Sequence, residues 1–206
     1  MKRNAAVLLF IAVWLAWAAW KQIFMPTLPA GVATAILDSV VLKALIWLAP
    51  FLLFRTRLRS KAFFHAPFPW LPCLILLCAS AAFLHSLRIL NGLLNTHVVF
   101  DPMFIVFSLS AGVIEELSFR GGFFNLQEEA YGFWPAALIN GVMFTLFHYP
   151  TLLLGHWQEL VSLRSALIFA MGVLFCWMYK KWRNLALNMT VHTVWDILSY
   201  LFCLAG

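Results

Sequence analysis

The sequence predicts an all-α fold: a polytopic transmembrane helix bundle of about seven spans, with a polar site buried between the fourth, fifth and seventh. Three observations carry that prediction. The 206 residues are 64% hydrophobic and 11% charged, and the mean hydropathy is +0.89, more apolar surface than a water-soluble domain can hide and an ordinary load for a bilayer. Apolar runs of about 16–24 residues recur between short polar breaks, long enough to cross the hydrocarbon core. Basic residues cluster in those breaks, the pattern that orients membrane proteins rather than one that binds nucleic acid. The length leaves room for one integral membrane domain, residues 1–206.

The first span is read from Ala5 to Trp20, behind Lys2 and Arg3. A cleaved signal peptide is the other reading, with Ala16-Trp17-Ala18 as the cleavage site. Three late tryptophans favour a retained span with an interfacial belt. Prolines between Met25 and Pro29 break the chain before a second span, Gly31 to Phe54. Asp38 and Lys43 lie inside that span and are read as structural. Either they pair with each other or Lys43 extends towards an interface. The densest basic cluster follows, from Arg55 to Lys61.

A third span, Pro69 to Leu90, ends near His85 and Arg88, and a polar connection through Asn91, Asn95 and His97 leads to Asp101. Pro102 is placed to open the fourth helix, Met103 to about Gln127. The fifth runs from about Tyr131 to His148, stopped by Pro150. A loop with His156 and Glu159 precedes the sixth, Arg164 to Tyr179. Lys180, Lys181 and Arg183 then separate it from the seventh, Leu185 to Leu204. With the N-terminus inside, ten basic residues fall inside and only Lys21, Arg88 and Arg164 fall outside, which agrees with seven spans, N-in and C-out. The four cysteines (Cys73, Cys78, Cys176, Cys203) all sit in apolar segments and read as small buried hydrophobes.

Against this apolar background one stretch stands out, Gly112-Val113-Ile114-Glu115-Glu116-Leu117-Ser118-Phe119-Arg120. A charged side chain at the bilayer centre costs about 2.5–3.5 kcal/mol on insertion scales, so three together call for a polar interior and mutual partners. Glu116 and Arg120 are four apart and share a helix face, as a structural ion pair. Glu115 is rotated by about 100° and is left over. The fifth helix carries Asn140, Phe144 and His148 at i, i+4, i+8, and the seventh carries Asn188, His192 and Asp196 in the same way. From a turn near Ala130, Glu115 and His148 lie at about 22 and 27 Å along their helices, so the two side chains end at similar depth.

Glu115-Glu116-xxx-Arg120, Phe144-xxx-His148 and His192-xxx-Asp196, in that order on hydrophobic helices, resemble the motif series of the CAAX-processing and bacteriocin-processing proteases. These form the CPBP or ABI family of intramembrane glutamate-type peptidases. The resemblance covers about residues 103–200, a protease core preceded by less characteristic spans over 1–102. It implies an endopeptidase acting on a membrane-associated peptide or protein tail. In that scheme Glu115 is the base that activates water and His148 assists it. His192 and the residue at 196 polarise the scissile carbonyl, while Glu116 and Arg120 hold the motif helix. Asp stands at 196 where the family often has Asn; an ionised Asp would repel an oxyanion, so an orienting hydrogen bond to His192 is expected. No cofactor is implied. Zinc held by Glu115, His148 and His192 is the alternative, although the sequence has no HExxH. A proton-relaying transporter and a catalytically silent scaffold or immunity factor are the competing functions. The expected location is a prokaryotic plasma membrane.

Overall fold

A computed structural model describes residues 5–53, 66–92 and 101–202. Among these residues the chain is helical with no strand, and seven helices follow one another. Helix α1 (Ala5–Ala19) continues through a π-helical turn, Trp20–Phe24. Helix α2 is one rod built of Val32–Ile36, a π-helical stretch Leu37–Leu42, and Lys43–Leu53. Helix α3 is Trp70–Leu90. Helix α4 spans Pro102–Tyr131 and is π-helical over Leu117–Phe124. Helices α5 (Phe133–Phe147), α6 (Leu163–Trp182) and α7 (Leu185–Leu201) complete the bundle.

The helix ends follow local chemistry. Asp101 caps α4 by accepting from the Met103 amide at 2.9 Å, with Pro102 in the first turn, where a missing N–H costs nothing. Gly132, at φ 79°, makes a one-residue break between α4 and α5, a conformation that suits glycine. Ser162 and Asn184 cap α6 and α7 through the amides of Ser165 and Ala186.

Five helical segments (Ala5–Thr27, Val32–Ala49, Trp70–Leu90, Pro102–Tyr131 and Leu163–Trp182) are long and apolar enough to cross a membrane. Helix α5 is apolar but shorter. Helix α7 has 17 residues and spends several of them on Asn188, His192, Thr193 and Asp196, which lowers its hydropathy. Both are flanked by longer helices: α5 packs along α6, and α7 along α4. Side chains such as Leu71, Leu74 and Ile75 point outward, where lipid rather than water solvates them.

An aromatic core joins α1, α2, α4 and α5. Phe10, Trp17, Trp47, Phe119, Phe123, Phe144 and Phe147 are all buried in it. Trp47 stacks on Phe119 at 5.4 Å and meets Phe147 edge-on at 4.8 Å. Of Ala16-Trp17-Ala18, Trp17 is buried and stacked on Phe147 at 5.9 Å, Ala18 is fully buried, and Ala16 faces outward. Two close helix approaches depend on glycine. A Cβ at Gly112 would collide with Thr193 Oγ1 and stand 2.9 Å from Met189 O, between α4 and α7, and one at Gly172 would stand 2.9 Å from Gly141 Cα, between α6 and α5. Cys73 and Cys176 are buried, but Cys78 is exposed on α3; a lipid-facing thiol needs no burial in protein. Lys2, Arg3, the basic cluster 55–61, Asn95, His97 and Cys203 lie outside the described residues.

Candidate active site

The site begins at the end of the regular part of α4, where Glu115 and Glu116 are both buried. The π-helical stretch Leu117–Phe124 starts immediately after them, and such widened turns recur at functional sites. Side-chain amides hold several carbonyls of this stretch: Asn140 donates to Phe119 O at 3.1 Å, and Asn125 donates to Arg120 O and Gly121 O, both at 3.0 Å. Asn140 thereby ties α5 to the motif helix and is a structural member of its stripe.

Glu116 joins α4 to α7 directly and to α6 through Arg120. Its Oε1 accepts from Arg120 Nη1 at 2.9 Å and from His192 Nδ1 at 2.9 Å, while its Oε2 accepts from Asn188 Nδ2 at 3.2 Å. Arg120 is fully buried, and its Nη2 donates to Gly172 O on α6 at 3.0 Å. Its guanidinium lies 4.4 Å from the Phe144 ring centroid and 5.0 Å from that of Phe175, which gives the buried cation π-faces as well as a carboxylate. Asn188 also donates to Phe175 O at 2.7 Å. The Glu116–Arg120 pair expected from spacing is present, and it does more than stiffen α4: it also grips His192.

That grip sets the chemistry of His192. Nδ1 faces a carboxylate oxygen already paired with Arg120, so Nδ1 carries a hydrogen and donates. Nε2 then faces the remaining acids, 3.7 Å from Glu115 Oε2 and 3.7 Å from Asp196 Oδ2. Asp196 therefore makes no direct hydrogen bond to His192, because 3.7 Å exceeds hydrogen-bond range. The residue that orients the imidazole is Glu116, on α4, rather than the i+4 neighbour.

Glu115 is not left over. Its Oε1 accepts from Lys43 Nζ at 2.6 Å, and both side chains are largely buried. Lys43 thus pairs neither with Asp38 nor with an interface. Asp38, five residues earlier on α2, is buried and accepts from Lys21 Nζ at 2.8 Å and Trp20 Nε1 at 2.9 Å. Glu115 Oε2 is buried without a hydrogen-bond partner.

His148 sits at the C-cap of α5, its Nδ1 2.8 Å from Phe144 O. A carbonyl only accepts, so Nδ1 carries the hydrogen and Nε2 keeps a lone pair. The Phe144 ring separates the two histidines, edge-on to His148 at 4.8 Å and to His192 at 5.8 Å. His148, His192 and Asp196 line one cavity of about 360 Å³ between α3, α6 and α7. Its wall is otherwise mostly apolar (Leu84, Leu87, Leu167, Ile168, Met171, Trp195), with Asn91, Arg164 and Ser199 as further polar groups. Among the described residues no three His, Cys, Asp or Glu side chains are grouped as a metal ligand set.

An apolar helical bundle with this buried carboxylate–histidine cluster defines a class: integral membrane proteins with a polar site within their spans. A family profile described as "Type II CAAX prenyl endopeptidase Rce1-like" matches residues 97–198. The chain belongs to this Rce1-like family, a family of proteases, through that half of its length. The UPF0177 protein YvdC of Lactococcus lactis subsp. lactis is 30% identical over 106 residues, which are 50% of this chain and 35% of that protein. This chain thus matches about a third of the relative's length. No solved structure matches it.

Proposed function

We propose that the protein is an intramembrane endopeptidase of the glutamate type, hydrolysing a peptide bond in the tail of a membrane-associated substrate. The observation that carries the proposal is Glu115 Oε2: a buried carboxylate oxygen without a hydrogen-bond partner, 3.7 Å from a histidine nitrogen. In this reading Glu115 Oε2 takes a proton from water as the hydroxide oxygen bonds to the scissile carbonyl carbon, with His148 Nε2 as a second acceptor beside the cavity. His192 as an imidazolium donates from Nε2 to the developing oxyanion; its Nδ1–H is committed to Glu116, and Glu115, Glu116 and Asp196 supply counter-charge. As the carbon–nitrogen bond breaks, the proton held on Glu115 passes to the leaving amine. Catalysis then needs no metal.

The mostly apolar cavity supports a lipid-bearing or strongly apolar tail, in keeping with the family's description. Positive residues favour an N-in, C-out orientation in a prokaryotic plasma membrane. The test is cleavage of an internally quenched peptide ending in a prenylated CAAX-type tail by purified wild type, Glu115→Gln, His148→Ala and His192→Ala. Wild type is expected to cleave, with each variant reduced at least about a hundredfold. Full cleavage by all three variants would sink the proposal.

A further inference from the structure

The matched region 97–198 lacks α2 altogether, yet α2 supplies the group closest to the proposed base. Lys43 reaches Glu115 Oε1 at 2.6 Å across 72 residues of sequence. Three contacts at successive turns lock the two helices in this register. Ser110 Oγ donates to Ser39 O at 3.0 Å, Lys43 meets Glu115, and Ser118 Oγ donates to Trp47 O at 3.0 Å. On α2 the positions are 39, 43 and 47, one face at i, i+4 and i+8. Trp47, 1% exposed, wedges that face against Phe10, Phe119 and Phe147. Lys43 Nζ also lies 5.3 Å from the Phe147 ring centroid, beside His148.

The geometry points to Lys43 as a positioning residue of the active site, contributed by the half of the chain outside the matched region. By taking Oε1 it fixes the carboxylate plane and leaves Oε2 as the oxygen turned to His192. A carboxylate free to rotate would present either oxygen, or fold back on His192 and close the gap. Lys43 also compensates charge. Glu115 and Glu116, with the half-buried Asp196 beside them, face Lys43, Arg120 and the His192 imidazole in one cluster, and a buried carboxylate without its cation is strongly disfavoured. A lysine that merely snorkelled would be longer-reaching and exposed at its tip; here the side chain is 12% exposed.

This inference rests on the proteolytic reading, and the experiment separates the two. Lys43→Met, Lys43→Arg, Glu115→Gln and Lys21→Met are compared in the full chain, with the prenylated quenched peptide and with thermal unfolding. Lys21→Met breaks the half-buried pair of Lys21 with Asp38 and serves as the purely structural control. Lys43→Met is expected to lower kcat at least about tenfold with KM within about twofold, the signature of lost transition-state stabilisation. Lys43→Arg is expected to recover most of the loss, and Lys21→Met to lower stability at unchanged kcat. Wild-type kcat in Lys43→Met, with Glu115→Gln inactive, would overturn the positioning role alone. Activity in Glu115→Gln would remove the proteolytic reading itself. Should Lys43→Met fail to fold, or wild type leave the peptide intact, the thermal cycle of Lys43→Gln, Glu115→Gln and their double variant decides. Additive shifts in Tm there would overturn the pairing, and non-additive shifts uphold it.

Discussion

Glu116 Oε1 lies 2.9 Å from His192 Nδ1, a contact spanning 76 residues of sequence that fixes which imidazole nitrogen faces the remaining acids. The same oxygen accepts from Arg120. One carboxylate therefore carries both a structural and a chemical duty, and the two can be separated by mutation. Glu116→Gln leaves Arg120 buried without its ionic partner, a change of about 3–5 kcal/mol. The double variant Glu116→Gln/Arg120→Met removes the stranded charge and is expected to regain much of that stability. It should not regain peptide cleavage, because the glutamine no longer anchors His192 as an anion does. Thermal unfolding and turnover measured side by side check this; recovery of both together would show that Glu116 serves structure alone.

The residue at 196 gives a second outcome. Asp196 Oδ2 stands 3.7 Å from His192 Nε2, on the cavity wall, without directly bonding that nitrogen. Asn in its place keeps the shape, removes an anion from the neighbourhood of the oxyanion and adds an N–H donor. Asp196→Asn is therefore expected to cleave at least as fast as wild type, whereas Asp196→Ala falls by about tenfold or more. A loss in Asp196→Asn equal to that in Asp196→Ala would mean that the carboxylate itself is required.

The chemical half of the site was readable because its residues repeat every four positions on single helices. Glu116 with Arg120, Phe144 with His148 and His192 with Asp196 all appear in the sequence as polar islands at helical spacing, and the structure brings those islands to one place. Lys43 was not readable, and the reason is geometric. Its face, with Ser39 and Trp47, keeps ordinary helical spacing, but its partner Glu115 lies 72 residues away on another helix, and spacing along one helix carries no register between two. The pairing of Asp38 with Lys21 was hidden in the same way, since the two residues sit on different helices. The signal that could have exposed Lys43 is charge balance: one cation inside an apolar span and one carboxylate without a partner on its own helix. The role of Glu116 at His192 was likewise invisible, because a local partner four residues away already satisfied it on paper.

Metal dependence follows from the same contact that the sequence hid. Lys43 balances the Glu115 carboxylate through Oε1 at 2.6 Å, and in the proposed mechanism the partnerless Oε2 acts as the base without a metal. Cleavage is expected to survive incubation with a strong chelator and dialysis. Loss of turnover that returns on adding zinc would reverse this and make Glu115, His148 and His192 a ligand set.

The glycine contact between α5 and α6 reaches the site through Arg120. A Cβ at Gly141 would meet Val173 Cγ2 at 2.9 Å and the Phe169 ring at 3.0 Å, side-chain ends with some room to turn. A Cβ at Gly172 would instead meet Gly141 Cα at 2.9 Å, which is backbone, so the helices themselves must separate. Overpacking of this kind costs about 1–3 kcal/mol, and Gly172→Ala should sit at the upper end with Gly141→Ala below it. Gly172 is also the residue whose carbonyl accepts from Arg120 Nη2 at 3.0 Å. Pushing α6 outward lengthens that bond and loosens Arg120, then Glu116, then His192. Gly172→Ala is therefore expected to lose turnover as well as stability, and Gly141→Ala mainly stability, at temperatures where both remain folded. Equal turnover in the two variants would show that the α6 carbonyl does not help to hold His192.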